Sequence, residues 1–132
     1  MNRGASVMII DDDEDIRDVA KLLLESEGLR VTTAEDGLDA WRQIEAGESP
    51  SLILLDLMMP RMDGEQFLRT LRASARATTP VIVMSGHSAA ATIARELKAN
   101  ACLTKPFELE DLLEIVRRFD AYGREAFDRA ER

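Results

Sequence analysis

Short apolar runs alternate along this chain with longer stretches in which apolar residues recur every third or fourth position. The short runs are Val7-Met-Ile-Ile10, Leu29 to Ala34, Leu52-Ile-Leu-Leu55, Pro80-Val-Ile-Val-Met84 and Ala101-Cys-Leu-Thr104. Their lengths suit strands. The unbroken apolarity of Leu52 to Leu55 suits a strand covered on both faces, as a parallel sheet requires. Between the runs, Ile16, Val19, Ala20, Leu23 and Leu24 share one face of a helix that Gly28 should end. Leu38, Trp41 and Ile44 repeat the spacing up to Gly47, and Phe67, Leu68 and Leu71 repeat it after the third strand. A helix from about Ala89 to Lys98 is alanine-rich, with Ile93 and Leu97 as its large anchors and Ser88 as a candidate N-cap. The last helix carries Leu109, Leu112, Leu113, Val116 and Phe119 on one face. Five strands alternating with five helices predict a parallel sheet with helices on both faces, joined by right-handed crossovers.

The end of the pattern is weaker. Positions 109, 112, 116, 119, 123, 126 and 130 keep a three-four spacing, which offers the last helix a coiled-coil-like extension. The occupants become Gly123, Ala126 and Ala130, and a mid-helix glycine costs about 1 kcal/mol. The expectation is one domain over residues 1–120 and a tail over 121–132 that frays rather than forming a dimer seam, leaving a monomer or a weak dimer.

Composition narrows the class. A chain of 132 residues buries roughly two thirds of its unfolded surface without staples. The single cysteine, Cys102, excludes an intrachain disulfide and fits a reducing, cytoplasmic setting. No apolar run approaches the roughly 18 residues of a membrane span, and Met1 to Ser6 lacks a secretory apolar region. A net charge of −8 disfavours non-specific binding to nucleic acid or anionic lipid. It suits a cation, or a basic partner surface.

The chemistry stands at the ends of the strands. The first delivers Asp11 and Asp12, the third Asp56, the fourth Ser85 and the fifth Lys105. Pro60 and Asp63-Gly64 mark a turn after Asp56, so that carboxylate should face a loop at a C-terminal strand tip, where open α/β sheets bind ligands. Three carboxylates at one sheet edge repel unless a cation neutralises them. An all-oxygen ligand set favours Mg²⁺ or Mn²⁺ over zinc. A hard cation beside a carboxylate, a lysine and a hydroxyl is equipment for phosphoryl transfer, with Asp56 as nucleophile and an aspartyl phosphate as product.

Ile10-Asp-Asp-Asp-Glu-Asp-Ile-Arg17, Leu55-Asp-Leu-Met-Met-Pro-Arg-Met-Asp-Gly64, Val83-Met-Ser-Gly86 and Thr104-Lys-Pro-Phe107 closely resemble the receiver domains of bacterial response regulators, over about residues 5 to 119. The resemblance implies a flavodoxin-like doubly wound sheet of order 2-1-3-4-5, which sets the first and third strands side by side at the switch point. It implies that Asp56 accepts a phosphoryl group from a sensor histidine kinase or a histidine phosphotransfer protein. Asp12, Asp56 and the backbone carbonyl of Met58 would bind Mg²⁺, with Asp11 acting mainly through a metal-bound water. Ser85 would move towards the phosphoryl group, Lys105 would pair with it, and the Lys105–Pro106 bond would be cis. The domain would promote its own phosphorylation and dephosphorylation without being a turnover enzyme. Its output partner, unidentified, would read a two-state surface on the fourth helix, fifth strand and fifth helix.

Two positions depart from the family pattern. Cys102 stands where an aromatic residue usually reports the switch, and Lys98 stands where glycine is usual. The first leaves open how the switch works; the second implies a changed helix exit.

Simpler roles compete for single residues. Asp13 and Asp15 are assigned to capping the first helix. His87, the only histidine, is weighed between tuning dephosphorylation together with Met58 and a solvated loop. Cys102 is expected as a buried strand thiol, and Trp41, Phe67 and the methionines as core or surface residues. A haloacid-dehalogenase-type phosphatase, built on Asp11 and Asp13, is a rival that leaves Asp56 unexplained. A receiver-shaped interaction module that is never phosphorylated is the other.

Overall fold

The computed structural model describes residues 6–59, 62–86 and 90–120. In chain order the elements are β1 (Ser6–Ile10), α1 (Glu14–Ser26), β2 (Arg30–Ala34), α2 (Gly37–Glu45), β3 (Leu52–Asp56), α3 (Gly64–Arg72), β4 (Val81–Ser85), α4 (Ala90–Glu96), β5 (Ala101–Thr104) and α5 (Leu109–Asp120). The strands form a parallel sheet, as the alternating pattern predicts, in the order β2-β1-β3-β4-β5 that the resemblance implies.

Alternate residues of the inner strands point to opposite faces, and both faces are covered. Met8, Ile10, Ile53, Leu55, Val81 and Val83 meet Ile44 of α2, Phe67, Leu68 and Leu71 of α3, and Ala90, Ala94 and Leu97 at α4. Val7, Ile9, Leu52, Leu54, Ile82 and Met84 meet Ala20 and Leu24 of α1 and Leu112, Val116 and Phe119 of α5. Two-sided burial is why these strands carry continuous aliphatic runs. Trp41 packs edge-on against Phe67, with ring centroids 6.2 Å apart. Arg117 ties α5 to the end of α1 through Glu27, with Nη2–Oε1 at 2.7 Å.

Local signals place the helix ends. Asp13 caps α1 by accepting from the amides of Asp15 and Ile16, and Gly28, at φ +88°, follows the last turn. Asp63 and Gln66 form a reciprocal capping box at α3. At the other end of α3, Arg72 donates to the carbonyls of Ala77, Thr79 and Lys98 and to Asn100 Oδ1. One guanidinium thus ties α3 to the turn between α4 and β5.

At α4 the expected anchors hold, with Leu97 in the core and Ile93 packed against it, and Ala90 and Ala94 are buried beside them at 2% and 4% exposure. The structure departs from expectation in two places. Cys102 is only half-buried, since β5 is an edge strand with no fully buried residue. Lys98 holds φ at +61°, the left-handed conformation that glycine adopts more cheaply. Pro60, His87, Ser88 and the tail 121–132 lie outside the described residues. No helix of the described residues is long and apolar enough to cross a membrane.

Candidate functional site

The site lies at the C-terminal ends of β1, β3, β4 and β5. β1 and β3 are neighbours in the sheet, with Ile10 opposite Leu55, so Asp11, Asp12 and Asp56 emerge side by side. One carboxylate oxygen from each of the three lies within 4.8 Å of the others. The five residues expected to act together are therefore all delivered to one edge, for Ser85 ends β4 and Lys105 follows β5. Asp11, Asp56 and Ser85 are buried and Asp12 is exposed.

Asp11 is held at every polar atom. Its amide donates to the Ala34 carbonyl at 3.1 Å. Its carbonyl accepts from Arg17 Nη1 at 2.7 Å, Oδ1 accepts from the Asp13 amide at 2.9 Å, and Oδ2 accepts from Lys105 Nζ at 2.7 Å. The same ammonium stands 3.6 Å from Asp56 Oδ2, so Lys105 bridges the two buried acids. The Lys105–Pro106 peptide is cis, and the Lys105 amide donates to the Ser85 carbonyl at 3.0 Å, joining the ends of β4 and β5.

Burial pushes the Asp56 carboxyl up to about 6, helped by the charges of Asp11 and Asp12. The Lys105 charge and the Met58 amide, which donates to Asp56 Oδ1 at 3.2 Å, oppose the rise. Burial acts against the charge of Lys105, but its bond to Asp11 and the charges of Asp11 and Asp56 raise its pKa above the usual lysine value. Burial also raises the Cys102 thiol, which is poorly ionised there.

Periodicity did not reveal three residues around the site. A Cβ on Gly64 would collide with the Asp56 carbonyl oxygen and come within 2.5 Å of Leu57 Cα. One on Gly37 would strike the carbonyl of Met62, whose oxygen accepts from the Gly37 amide at 2.8 Å. The Asp63-Gly64 turn signal pointed at the first; nothing in the pattern marked the second. Arg17, the third, closes the first motif of the resemblance but nothing there gives it a role. An apolar groove of about 480 Å³ flanks the acids, lined by Ile16, Val19, Phe107, Leu109 and Leu112 beside Lys105.

A doubly wound five-stranded sheet with an acid cluster and a lysine at its switch point defines a class, and comparison with known proteins agrees with it. The profile of the response regulator receiver domain matches residues 7–117. Protein PilG of Pseudomonas aeruginosa is 41% identical over 117 residues, covering 86% of each chain. A homolog of the transcriptional regulatory protein CpxR from Haemophilus influenzae is 32% identical over 86% of this chain, which spans only 49% of that longer protein. A response regulator receiver protein from Pseudomonas putida superposes with a TM-score of 0.81 at 31% identity, over 89% of this chain and 98% of that one. The chemotaxis protein CheY4 of Vibrio cholerae superposes at 0.79 with 28% identity, over 86% and 97%. The chain belongs to the response regulator receiver family.

Proposed function

We propose that this receiver accepts a phosphoryl group on Asp56 from a phosphohistidine donor, a sensor histidine kinase or a histidine phosphotransfer protein. The observation that carries the reading is the placement of Lys105, 2.7 Å from Asp11 and 3.6 Å from Asp56, within a cluster of three carboxylates. With its pKa near 6, Asp56 is mostly ionised at neutral pH and available as a nucleophile. One of its oxygens forms the O–P bond as the P–N bond of the donor breaks. The imidazole leaves with the bonding pair and takes up a proton. Lys105 and the Ser85 hydroxyl offset and hold charge on the phosphoryl oxygens.

The donor set fits a hard divalent cation: all the atoms are oxygens, and the charges of Asp11 and Asp12, which add to the effect of burial on Asp56, are what a cation would offset. Asp12, Asp56 and the Met58 carbonyl would hold Mg²⁺ or Mn²⁺, with Asp11 reaching it through water because Lys105 and the Asp13 amide already engage its oxygens. Such an ion, when bound, supplies charge neutralisation at the phosphoryl group. Hydrolysis of the acyl phosphate returns Asp56, so the protein is a timed switch rather than a turnover catalyst. The apolar groove beside Lys105, with Val19 and Leu109 half-exposed on its walls, offers a protein donor a surface to rest on. Output would be read on α4, β5 and α5, where Cys102 requires a response that does not turn on an aromatic ring.

Intact mass after incubation with acetyl phosphate and Mg²⁺ tests the reading. One added phosphoryl group on wild type, absent without Mg²⁺ and absent in Asp56→Asn, is expected. No adduct on the wild type, with beryllofluoride also failing to bind, overturns it in favour of an unphosphorylated interaction module.

A further inference from the structure

We infer that Arg17 is a positioning residue for the cation site, an inference that rests on the metal-dependent reading above. Asp12 is exposed, and among the described residues no side chain bonds its carboxylate. What the protein holds of Asp12 is therefore its backbone, which begins at the peptide joining Asp11 to Asp12. The oxygen of that peptide is the one Arg17 holds, at 2.7 Å.

The anchor is firm at both ends. The Arg17 amide bonds the Asp13 carbonyl at 3.0 Å, so its Cα belongs to the first regular turn of α1. Helical side chains lean towards the N-terminus, which carries this guanidinium back over the loop it restrains. A charge-assisted bond to a carbonyl is stronger than a neutral one, and the guanidinium keeps its charge at any working pH. Asp11 is fixed at its other three polar atoms by Ala34, Asp13 and Lys105. Arg17 supplies the remaining restraint, the one that orients the next residue.

Two effects of the arginine oppose each other. Its positive charge repels an incoming cation, while its bond prepares Asp12 to receive one. A partner that orients a metal ligand is typically worth about 10-fold or more in metal affinity, and a partly solvated charge is screened. Positioning therefore dominates, and removing the guanidinium weakens binding even though it removes a like charge.

Titrating the full chain with Mg²⁺ alone by calorimetry tests this. Arg17→Met should weaken Mg²⁺ about 10-fold, and Arg17→Lys, which keeps the charge and one donor, should recover part of the loss. Amide exchange at Asp12 and Asp13 in the metal-free protein should quicken in Arg17→Met, with the β3 amides unchanged. At saturating Mg²⁺ the rate of phosphorylation by acetyl phosphate should return towards that of wild type. Affinity within twofold of wild type, or tighter, overturns the assignment, as does exchange that quickens evenly through β3. If Arg17→Met does not fold, Arg17→Lys carries the test, with about a threefold loss expected and none overturning it. Absence of saturable Mg²⁺ binding to the wild type overturns the metal reading and this inference together; normal wild-type binding with unchanged variants overturns the inference alone.

Discussion

Asp56 is a buried acid, and its burial has a cost that pH should expose. Below about 3.8, its ordinary value, both folded and unfolded chains keep the proton and burying the group costs little. Between about 3.8 and about 6 the unfolded chain has released the proton while the folded one retains it, so stability falls as pH rises. Above 6 both forms are ionised and the full penalty, roughly 3 kcal/mol, is in place. Asp56→Asn should therefore stabilise the metal-free protein at pH 7.5, by roughly 3 kcal/mol. The gain should shrink through the window and vanish near pH 3.5. Urea melts at the two pH values check this, and an equal gain at both would contradict it.

Among the elements, the strands were the most legible in the sequence, because two-sided burial demands unbroken aliphatic runs and the strand ends then stand out as abrupt polar residues. Asp11, Asp56, Ser85 and Lys105 were found in that way. What stayed hidden acts through backbone: Gly37 and Arg17 each meet a carbonyl, and no side-chain periodicity records such a contact. At α4 the large anchors Ile93 and Leu97 were legible, while the buried Ala90 and Ala94 were not, because helical patterns give weight to large residues. Cys102 was expected in the core because strand content does not tell an edge from a centre. Two substitutions probe these element ends. Gly64→Ala at the start of α3 forces a methyl against the Asp56 carbonyl and Leu57. It should cost about 2 kcal/mol or more and lower acetyl phosphate-driven phosphorylation, read by melting and by intact mass. Lys98→Gly removes a positive-φ side chain after α4. It should gain up to about 1 kcal/mol without changing phosphorylation, since Lys98 touches no group of the acid cluster.

Taken whole, the molecule places its acid crowding at the open end of a well-covered sheet. Cation binding should therefore stabilise the entire fold by linkage: at 100-fold excess over its dissociation constant, Mg²⁺ should add about 2.7 kcal/mol, a rise of several degrees in melting temperature. Asp12→Asn should lose most of that rise, and scanning calorimetry with and without Mg²⁺ decides the point. The contact between Lys105 and Asp11 spans 94 positions of sequence. One partner follows β1 and the other follows β5, and the acids at 11, 12 and 56 are all synthesised before the ammonium that offsets them. A chain interrupted anywhere ahead of β5 keeps the repulsion and lacks the counter-charge. The acid cluster thus gains its counter-charge only once β5 is in place, so the ion pair reports that the sheet is whole.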